Sequence, residues 1–212
     1  MKQPAKASLL SVLMMGALLG GSAARAGELA AAPTPASPAL APTVPAAPAH
    51  AVEPALQPAQ AAPDARLATL DGILAALYGT ISGAAGEVRD WERLRSLFTH
   101  EGRMVVHGPN KSGEFTTRVL TVSDYISRVT PVFAKEGFYE SELARSTDTF
   151  GQIAHVFSTY EARHAAGEAK PFLRGVNSIQ LVNDGQRWWI QSLVWQAESE
   201  KNPIPARYLK SK

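Results

Sequence analysis

The aromatic residues of this 212-residue chain are confined to one part of it. Its 7 Phe, 5 Tyr and 4 Trp all lie between Tyr78 and Tyr208, and the first 77 residues contain none. Because aromatic side chains supply much of the apolar area that a core buries, the core must form in the C-terminal two thirds. A chain of this length forms about one domain with appendages. We therefore expect one folded domain, residues 66–212.

The first 26 residues have the three parts of a secretory signal peptide. Lys2 and Lys6 supply positive charge, residues 9–19 are apolar, and Ala24 and Ala26 are the small residues that precede a cleavage site. The apolar stretch is shorter than the about 20 residues that a membrane span needs. We predict cleavage after Ala26, a periplasmic or secreted location, and no membrane span in the mature chain. An uncleaved anchor is the alternative.

Residues 27–65 are rich in Ala and Pro and hold nine of the 15 prolines. Each proline removes a backbone donor and fixes φ, so neither a helix nor a sheet propagates through the segment. Without aromatic residues and with few charges, it buries too little surface to offset its ordering entropy. We predict a disordered linker, and a Pro-rich ligand for a partner domain is the alternative.

Charge and composition argue against several classes of function. The signal peptide carries three basic residues and no acid, so its removal changes the formal net charge from +2 to −1, and nucleic-acid binding is not predicted. The absence of cysteine excludes disulfides, a thiol nucleophile and a thiolate metal site. The five histidines show no metal-binding spacing, and no dinucleotide or phosphate-loop motif is present. We therefore predict neither a metal nor a cofactor.

Helical patterns dominate the first part of the domain. In residues 67–81 the apolar positions recur on one helical face. Asp90 is placed to cap a second, short helix. Residues 121–124 have the spacing of a capping box, and a third amphipathic helix follows that bends or ends near Pro131. Three helices are therefore predicted.

Strand patterns occur after the second helix and again after the third. A hairpin signal, Asn183-Asp184-Gly185, separates the last two strands. Helices followed by an antiparallel meander indicate an α+β fold with helices on one face of a curved sheet. The predicted strands are residues 103–107, 115–120, 138–148, 153–163, 170–183 and 187–198.

Two segments carry a resemblance to a known fold. One is Asp90-Trp91-Glu92-Arg93-Leu94 with the strand from Arg103, and the other is the hairpin turn at 183–185 with Arg187-Trp188-Trp189-Ile190 and Trp195. Together they resemble the nuclear transport factor 2-like superfamily over about residues 66–200. The resemblance implies an α+β cone, in which a strongly bent antiparallel or mixed sheet wraps around a long N-terminal helix and leaves a pocket. Such domains include ketosteroid isomerases, SnoaL-like cyclases, dehydratases and non-catalytic association domains, so the fold does not determine function.

His107 is the candidate catalytic residue. By the resemblance, its place before a Gly-Pro turn corresponds to the catalytic carboxylate of the ketosteroid isomerases, and a histidine side chain can act as a general base near neutral pH. Tyr78 or Tyr125 could then supply a phenol to stabilise an oxyanion. No second acid stands at an evident position. The alternative is that His107 forms a hydrogen bond within the turn.

Further residues are candidates for a ligand pocket. Arg174, Ser178 and Gln180 share one strand face, and a buried Arg174 needs either an internal carboxylate, such as Glu140 or Glu142, or a ligand anion. Strict alternation along the last strand would place Trp188 and Trp195 on opposite faces. Aromatic residues at this density can line a hydrophobic pocket, and simple packing is the alternative. The candidates are Tyr78, Trp91, Tyr125, His155, Phe157, Arg174, Ser178, Gln180, Trp188 and Trp195.

Two functions from different classes are compatible with these patterns. We expect an exported domain that binds a small hydrophobic or amphipathic ligand, or acts as an association module, without catalysis. The alternative is a cofactor-free, isomerase-like or cyclase-like enzyme that uses His107 as its base. The resemblance and the surplus of apolar residues on the last strands also predict a homodimer formed through the sheet.

Overall fold

The computed structural model describes residues 64–110 and 112–210. The predicted signal peptide, its cleavage site and all but the last two residues of the predicted linker lie outside this range. Within the two described ranges, no helix is both long and apolar enough to cross a membrane.

The first predicted helix is divided at Thr69. A short 3-10 helix covers Ala65–Ala68, and helix α1 covers Leu70–Ile81. The Thr69 side chain accepts a hydrogen bond from the backbone N–H of Gly72 at 3.0 Å and so caps α1. With 12 residues, α1 is no longer than the third helix. The buried residues of α1 are Ile73, Leu74, Leu77, Tyr78 and Ile81.

The second and third helices begin where the sequence predicts. Helix α2 covers Trp91–Ser96, and the side chain of Asp90 accepts a hydrogen bond from the N–H of Arg93 at 2.8 Å. Helix α3 covers Val122–Phe133 and has both hydrogen bonds of the capping box that precedes it. Pro131 lies inside the last turn of α3, so the helix continues past it.

The six strands form one mixed sheet in the order β2-β1-β6-β5-β4-β3. β1 and β6 are parallel, and the other neighbours are antiparallel. Together with the three α-helices, this confirms the α+β class. β1 is longer at both ends than predicted. The strands are β1 Phe98–Pro109, β2 Phe115–Leu120, β3 Tyr139–Phe150, β4 Ile153–Arg163, β5 Leu173–Asn183 and β6 Trp188–Ala197.

The helices pack on one side of this sheet, which we call the inner face, and the opposite side is the outer face. A β-bulge in β6 interrupts the alternation of its side chains between the inner and outer faces. Leu181 pairs with Ile190 and Gln180 pairs with Ser192, so Gln191 is an extra residue. The expectation that Trp188 and Trp195 lie on opposite faces is therefore wrong. The buried, inner-face residues of β6 are Trp188, Ile190, Leu193, Trp195 and Ala197.

Candidate functional site

A cavity lies between α1, α3 and the inner face of the sheet. The space that the centres of water molecules could occupy in it is about 40 Å³, which corresponds to a few waters. Most of the lining is apolar, and its polar groups are one carboxyl, one amide and three phenols. The lining residues are Leu77, Tyr78, Ile81, Met104, Tyr125, Phe138, Glu140, Tyr160, Leu173, Asn177, Leu193 and Trp195.

Glu140 is the carboxylic acid of the cavity, and the end of α1 fixes its backbone. The Ser82 hydroxyl accepts a hydrogen bond from the N–H of Glu140 at 2.9 Å, and it also lies 3.2 Å from the carbonyl oxygen of Glu140. The side chain receives one long hydrogen bond, from Asn177 Nδ2 to Oε1 at 3.4 Å. Burial raises the pKa of Glu140 to about 8 from its ordinary value of 4.5, while the Asn177 hydrogen bond acts in the opposite direction. Near neutral pH this carboxyl is therefore mostly protonated.

Three tyrosine hydroxyls accompany this carboxyl. Tyr78 Oη lies 2.6 Å from Ser158 Oγ and accepts a hydrogen bond from Asn177 Nδ2 at 3.1 Å. Tyr125 and Tyr160 are buried and line the cavity, and within the described part of the chain no hydrogen bond joins their hydroxyls to another protein group. Burial and the Glu140 carboxylate raise the pKa of all three phenols. They therefore remain hydrogen-bond donors at physiological pH.

A series of hydrogen bonds outside the cavity holds the Tyr78 hydroxyl in place. Ser158 is fully buried and donates its hydroxyl hydrogen to Glu142 Oε1 at 2.6 Å. Since that hydroxyl has one hydrogen, Ser158 must accept the hydrogen of Tyr78. Glu142 in turn lies 3.5 Å from Arg145 Nε. The orientation of the Tyr78 ring is thus set by groups outside the cavity, while Tyr125 and Tyr160 have no such constraint.

Three of the predicted site residues line this cavity, and two more lie elsewhere on the helical side. Tyr78, Tyr125 and Trp195 belong to the lining, and the rings of Tyr125 and Trp195 meet edge to face with centroids 6.2 Å apart. Trp188 is buried in the core but is not part of the lining. Trp91 is half-buried and stacks on Phe133 with centroids 6.2 Å apart.

The other predicted site residues lie on the outer face. His107 pairs with Thr117 across the β1–β2 hairpin, and its Nδ1 lies 2.9 Å from Thr117 Oγ1. His155 Nε2 lies 3.0 Å from Ser178 Oγ, on the neighbouring strand. The sheet therefore separates these residues from the cavity, and a base that acts inside the cavity must be another group. The outer-face set is His107, His155, Phe157, Arg174, Ser178 and Gln180.

The C-terminal segment covers part of the outer face. Glu198 accepts hydrogen bonds from Arg174 Nε at 2.8 Å and Nη2 at 3.0 Å, and from the N–H of Ile204 at 2.9 Å. Arg174 therefore pairs with an internal carboxylate, as expected, but the partner is Glu198. The suggested partners Glu140 and Glu142 are wrong, because their side chains bond to Asn177 and Ser158 on the inner side. The ring centroid of Tyr208 lies 4.9 Å from that of Phe157, so the segment packs on the sheet.

Sequence reasoning missed several residues around the cavity. Glu140 and Asn177 project from β3 and β5, and only the pairing of the strands brings them together. The one available signal was that Glu140 lies two residues after the apolar Phe138, so strand alternation places both on the same face.

Arg89 is a further residue that the sequence did not indicate. It is 5% exposed, donates hydrogen bonds to the carbonyl oxygens of Ile81, Gly83, Ala84 and Glu87, and lies 5.0 Å from the centroid of the Phe133 ring.

The described residues include no group of three or more His, Asp or Glu side chains placed to hold a metal ion. In the inner cavity the groups available to a ligand are the Glu140 carboxyl, the Asn177 amide, and the phenols of Tyr125 and Tyr160. This arrangement can exchange hydrogen bonds with a small molecule and can give or take a proton at Glu140. A second, larger cavity of about 340 Å³ lies on the outer face under the C-terminal segment, and His107, Phe157 and Ser178 are part of its lining.

Comparisons with known proteins give structural similarity only. No family model matches the sequence, and no curated protein matches it. A function-unknown protein from Mycobacterium tuberculosis is 14% identical, with a TM-score of 0.47 over 64% of this chain and 75% of that one. A protein of cystatin-like fold from Nostoc punctiforme is 8% identical, with a TM-score of 0.46 over 60% and 87%.

A third solved structure, a nuclear transport factor 2-like protein of unknown function from Methylobacillus flagellatus, is 11% identical, with a TM-score of 0.42 over 61% of this chain and 89% of that chain. At these scores, the similarities assign no activity or ligand. The order of elements in the described domain, three helices and a mixed six-stranded sheet, is the one that the resemblance implied.

Proposed function

We propose that this protein binds one small, mainly apolar molecule in the cavity between α1, α3 and the inner face of the sheet. The observation that carries the proposal is a set of polar groups that line the cavity: the Glu140 carboxyl, which receives one long hydrogen bond, and the hydroxyls of Tyr125 and Tyr160. A buried polar group without a partner costs about 1–3 kcal/mol. A ligand that supplies partners recovers this free energy, while the apolar lining supplies the rest of the affinity.

The size of the cavity limits the ligand. With about 40 Å³ open to water centres, a molecule of a few heavy atoms fits without rearrangement, and a larger one must displace side chains. Tyr125 and Tyr160 are the side chains whose hydroxyl groups no hydrogen bond holds in place. We therefore expect fragments to be the first ligands found.

A fragment screen by thermal shift tests the proposal, because a ligand that binds only the native state stabilises it and raises the melting temperature. Tyr160→Phe removes one hydroxyl from the cavity and should weaken binding of the hits. Tyr139→Phe removes a hydroxyl from β3 outside the lining and is the matched control. Hits that bind both variants as tightly as the wild type would contradict the assignment of the site.

A second candidate function is acid–base catalysis in the same cavity. It is favoured by the raised pKa of Glu140, about 8, beside phenols that remain protonated. Glu140 would take a proton from a carbon next to a carbonyl group, and Tyr125 or Tyr160 would hydrogen-bond the resulting oxyanion. His107 could serve as a base only for a molecule bound on the outer face. Exchange of such a proton in deuterated water, abolished by Glu140→Gln, would establish catalysis.

We also propose that the outer face forms a homodimer near β1 and β2. Phe115 is 60% and Val119 62% exposed, and by strand pairing they lie on the same face as Val105 and His107. A second copy of this patch would bury these side chains isologously. Sedimentation should show a dimer at micromolar concentration that Val119→Lys converts to a monomer, while a monomeric wild type would exclude it.

Export of the chain is part of the proposed function, and the charge and apolar pattern of residues 1–26 supports it. Expression in a bacterium with a secretion pathway, followed by mass measurement of the mature chain, should give an N-terminus at Gly27. A chain that keeps residues 1–26 would instead support the uncleaved anchor.

A further inference from the structure

We propose that the ligand of this cavity is a small organic cation, such as a quaternary or protonated tertiary amine. The inference rests on the binding function proposed above and names the chemical class of its ligand. Three properties of the lining support it: the sign of its charge, the number and arrangement of its aromatic rings, and the unmet needs of its carboxyl group.

The charge of the lining has one sign. Glu140 is the one carboxylic acid among the twelve lining residues, and the lining contains no Lys, Arg or His. Arg89 is nearby, but it lies outside the lining, where four backbone carbonyl oxygens hold its guanidinium. An anionic ligand would therefore find no counter-charge, whereas a cation would find a carboxylate.

Aromatic rings form much of the wall. Tyr125 and Trp195 both belong to the lining, and their rings meet edge to face at an interplanar angle of 86°, with centroids 6.2 Å apart. The face of an aromatic ring attracts a cation, most strongly for Trp, and the attraction amounts to about 2 kcal/mol when the cation is desolvated. Five of the twelve lining residues are aromatic: Tyr78, Tyr125, Phe138, Tyr160 and Trp195.

The carboxyl lacks the partner that a cation would supply. Asn177 gives Glu140 one long hydrogen bond of 3.4 Å, and no salt bridge to Glu140 is present among the described residues. A cation in the cavity would provide the missing opposite charge within the low-dielectric interior. Binding would then convert Glu140 from its neutral to its ionised form.

This conversion predicts the sign of the pH dependence. The titratable and charged groups around Glu140 are Tyr78 from α1, Tyr125 from α3, Tyr160 from β4, Glu142 from β3, and Arg89 before α2. Since the phenols stay neutral, Glu140 is the group that titrates, with a pKa of about 8. Binding of a cation below this pH releases a proton, so affinity should rise by up to about tenfold per pH unit and level off above it.

A neutral ligand gives the opposite dependence. A carbonyl or hydroxyl oxygen would accept a hydrogen bond from the protonated Glu140, and this bond is lost when the carboxyl ionises. Affinity for such a ligand should therefore fall, rather than rise, as the pH passes about 8. The two ligand classes are distinguishable by sign, without knowledge of the natural ligand.

The experiment compares choline with its neutral isostere, the dimethylbutanol in which carbon replaces the ammonium nitrogen, by calorimetry on the full chain. Both probes have the same shape and exceed the open space of the cavity, so both must displace the same side chains, and the comparison cancels this cost. Above the pKa of Glu140, we expect choline to bind at least about tenfold more tightly than the isostere. Below it, choline binding should release a proton, seen as an enthalpy that depends on the ionisation heat of the buffer. Glu140→Gln should abolish the preference for choline and make the affinity of both probes independent of pH. Glu200→Gln, an exposed acid, is the matched control.

Each outcome decides between the proposals. Equal affinities, tighter binding of the isostere, or choline binding without proton release would overturn the cation assignment and leave the cavity-binding proposal intact. Absence of binding by both probes and by every fragment of the screen would overturn both. If Glu140→Gln does not fold, two other measurements test the cation assignment: the proton release of the wild type, and the choline affinity of Trp195→Leu, which should be lower than that of the wild type.

Discussion

The hydroxyl of Tyr160 lies in the space that a side chain on Gly175 would occupy. The two residues pair across β4 and β5, and a Cβ atom added to Gly175 would lie 2.4 Å from Tyr160 Oη and 2.6 Å from the carbonyl oxygen of Gln196. Glycine at 175 is therefore what allows the phenol of Tyr160 to lie over the sheet and reach the cavity.

Replacement of Gly175 by alanine should destabilise the domain and displace the Tyr160 phenol. Because the Gln196 backbone cannot move away freely, we expect a loss of about 1–3 kcal/mol in the free energy of unfolding. Gly79→Ala is the control: it lies in α1 with no heavy atom within 4 Å of the added Cβ, so it should raise stability by up to about 1 kcal/mol. Urea unfolding measures both, and a neutral Gly175→Ala would show that Tyr160 is not confined.

Glu140 should make the stability of the domain fall with rising pH. Its pKa is raised from 4.5 to about 8 in the folded protein, so between these values the native state keeps a proton that the unfolded state loses. The free energy of unfolding should decrease by up to about 1.4 kcal/mol per pH unit within this window and level off above it. Glu140→Gln should lack this decrease and exceed the wild type in stability at alkaline pH. Parallel pH profiles of the two proteins would contradict the prediction.

Arg89 should be more important for stability than any exposed arginine. Its guanidinium satisfies carbonyl oxygens at the C-terminal end of α1 and in the loop that follows, and a lysine cannot reproduce this fork. We expect Arg89→Lys to lower the free energy of unfolding by about 2–4 kcal/mol. Arg95→Lys alters a surface pair with Glu92 and should change it by less than about 1 kcal/mol. Chemical denaturation measures both, and equal losses of stability in Arg89→Lys and Arg95→Lys would refute the role given to Arg89.

Packing of the C-terminal segment on the outer face should not affect ligand binding in the cavity. Tyr208→Ala removes the ring that packs on Phe157, and we expect a stability loss of about 1 kcal/mol with no change in the affinity of cavity ligands. Lys210→Ala, exposed on the same segment, is the control. Weaker ligand binding in Tyr208→Ala would mean that the segment on the outer face is coupled to the inner one.

Local patterns predicted the elements that depend on local interactions. The caps at Asp90 and Thr121 and the bounds of β2 and β4 follow from neighbouring residues in the chain, and they were predicted correctly. The cavity was not, because Glu140 and Asn177 come together through the pairing of β3, β4 and β5. His107 attracted attention as a histidine at a strand end, but the face on which it lies depends on the register of the whole sheet.

The extra residue at Gln191 has a consequence for how such sequences change over time. Strand pairing is intact on both sides of it, Ile190 with Leu181 and Ser192 with Gln180. Loss of Gln191 would therefore leave every neighbour on its present face, whereas loss of a residue elsewhere in β6 would turn the following part of the strand over. We therefore expect homologous genes to tolerate the loss of one codon at this point, because Leu193 and Trp195 would keep their places in the cavity lining.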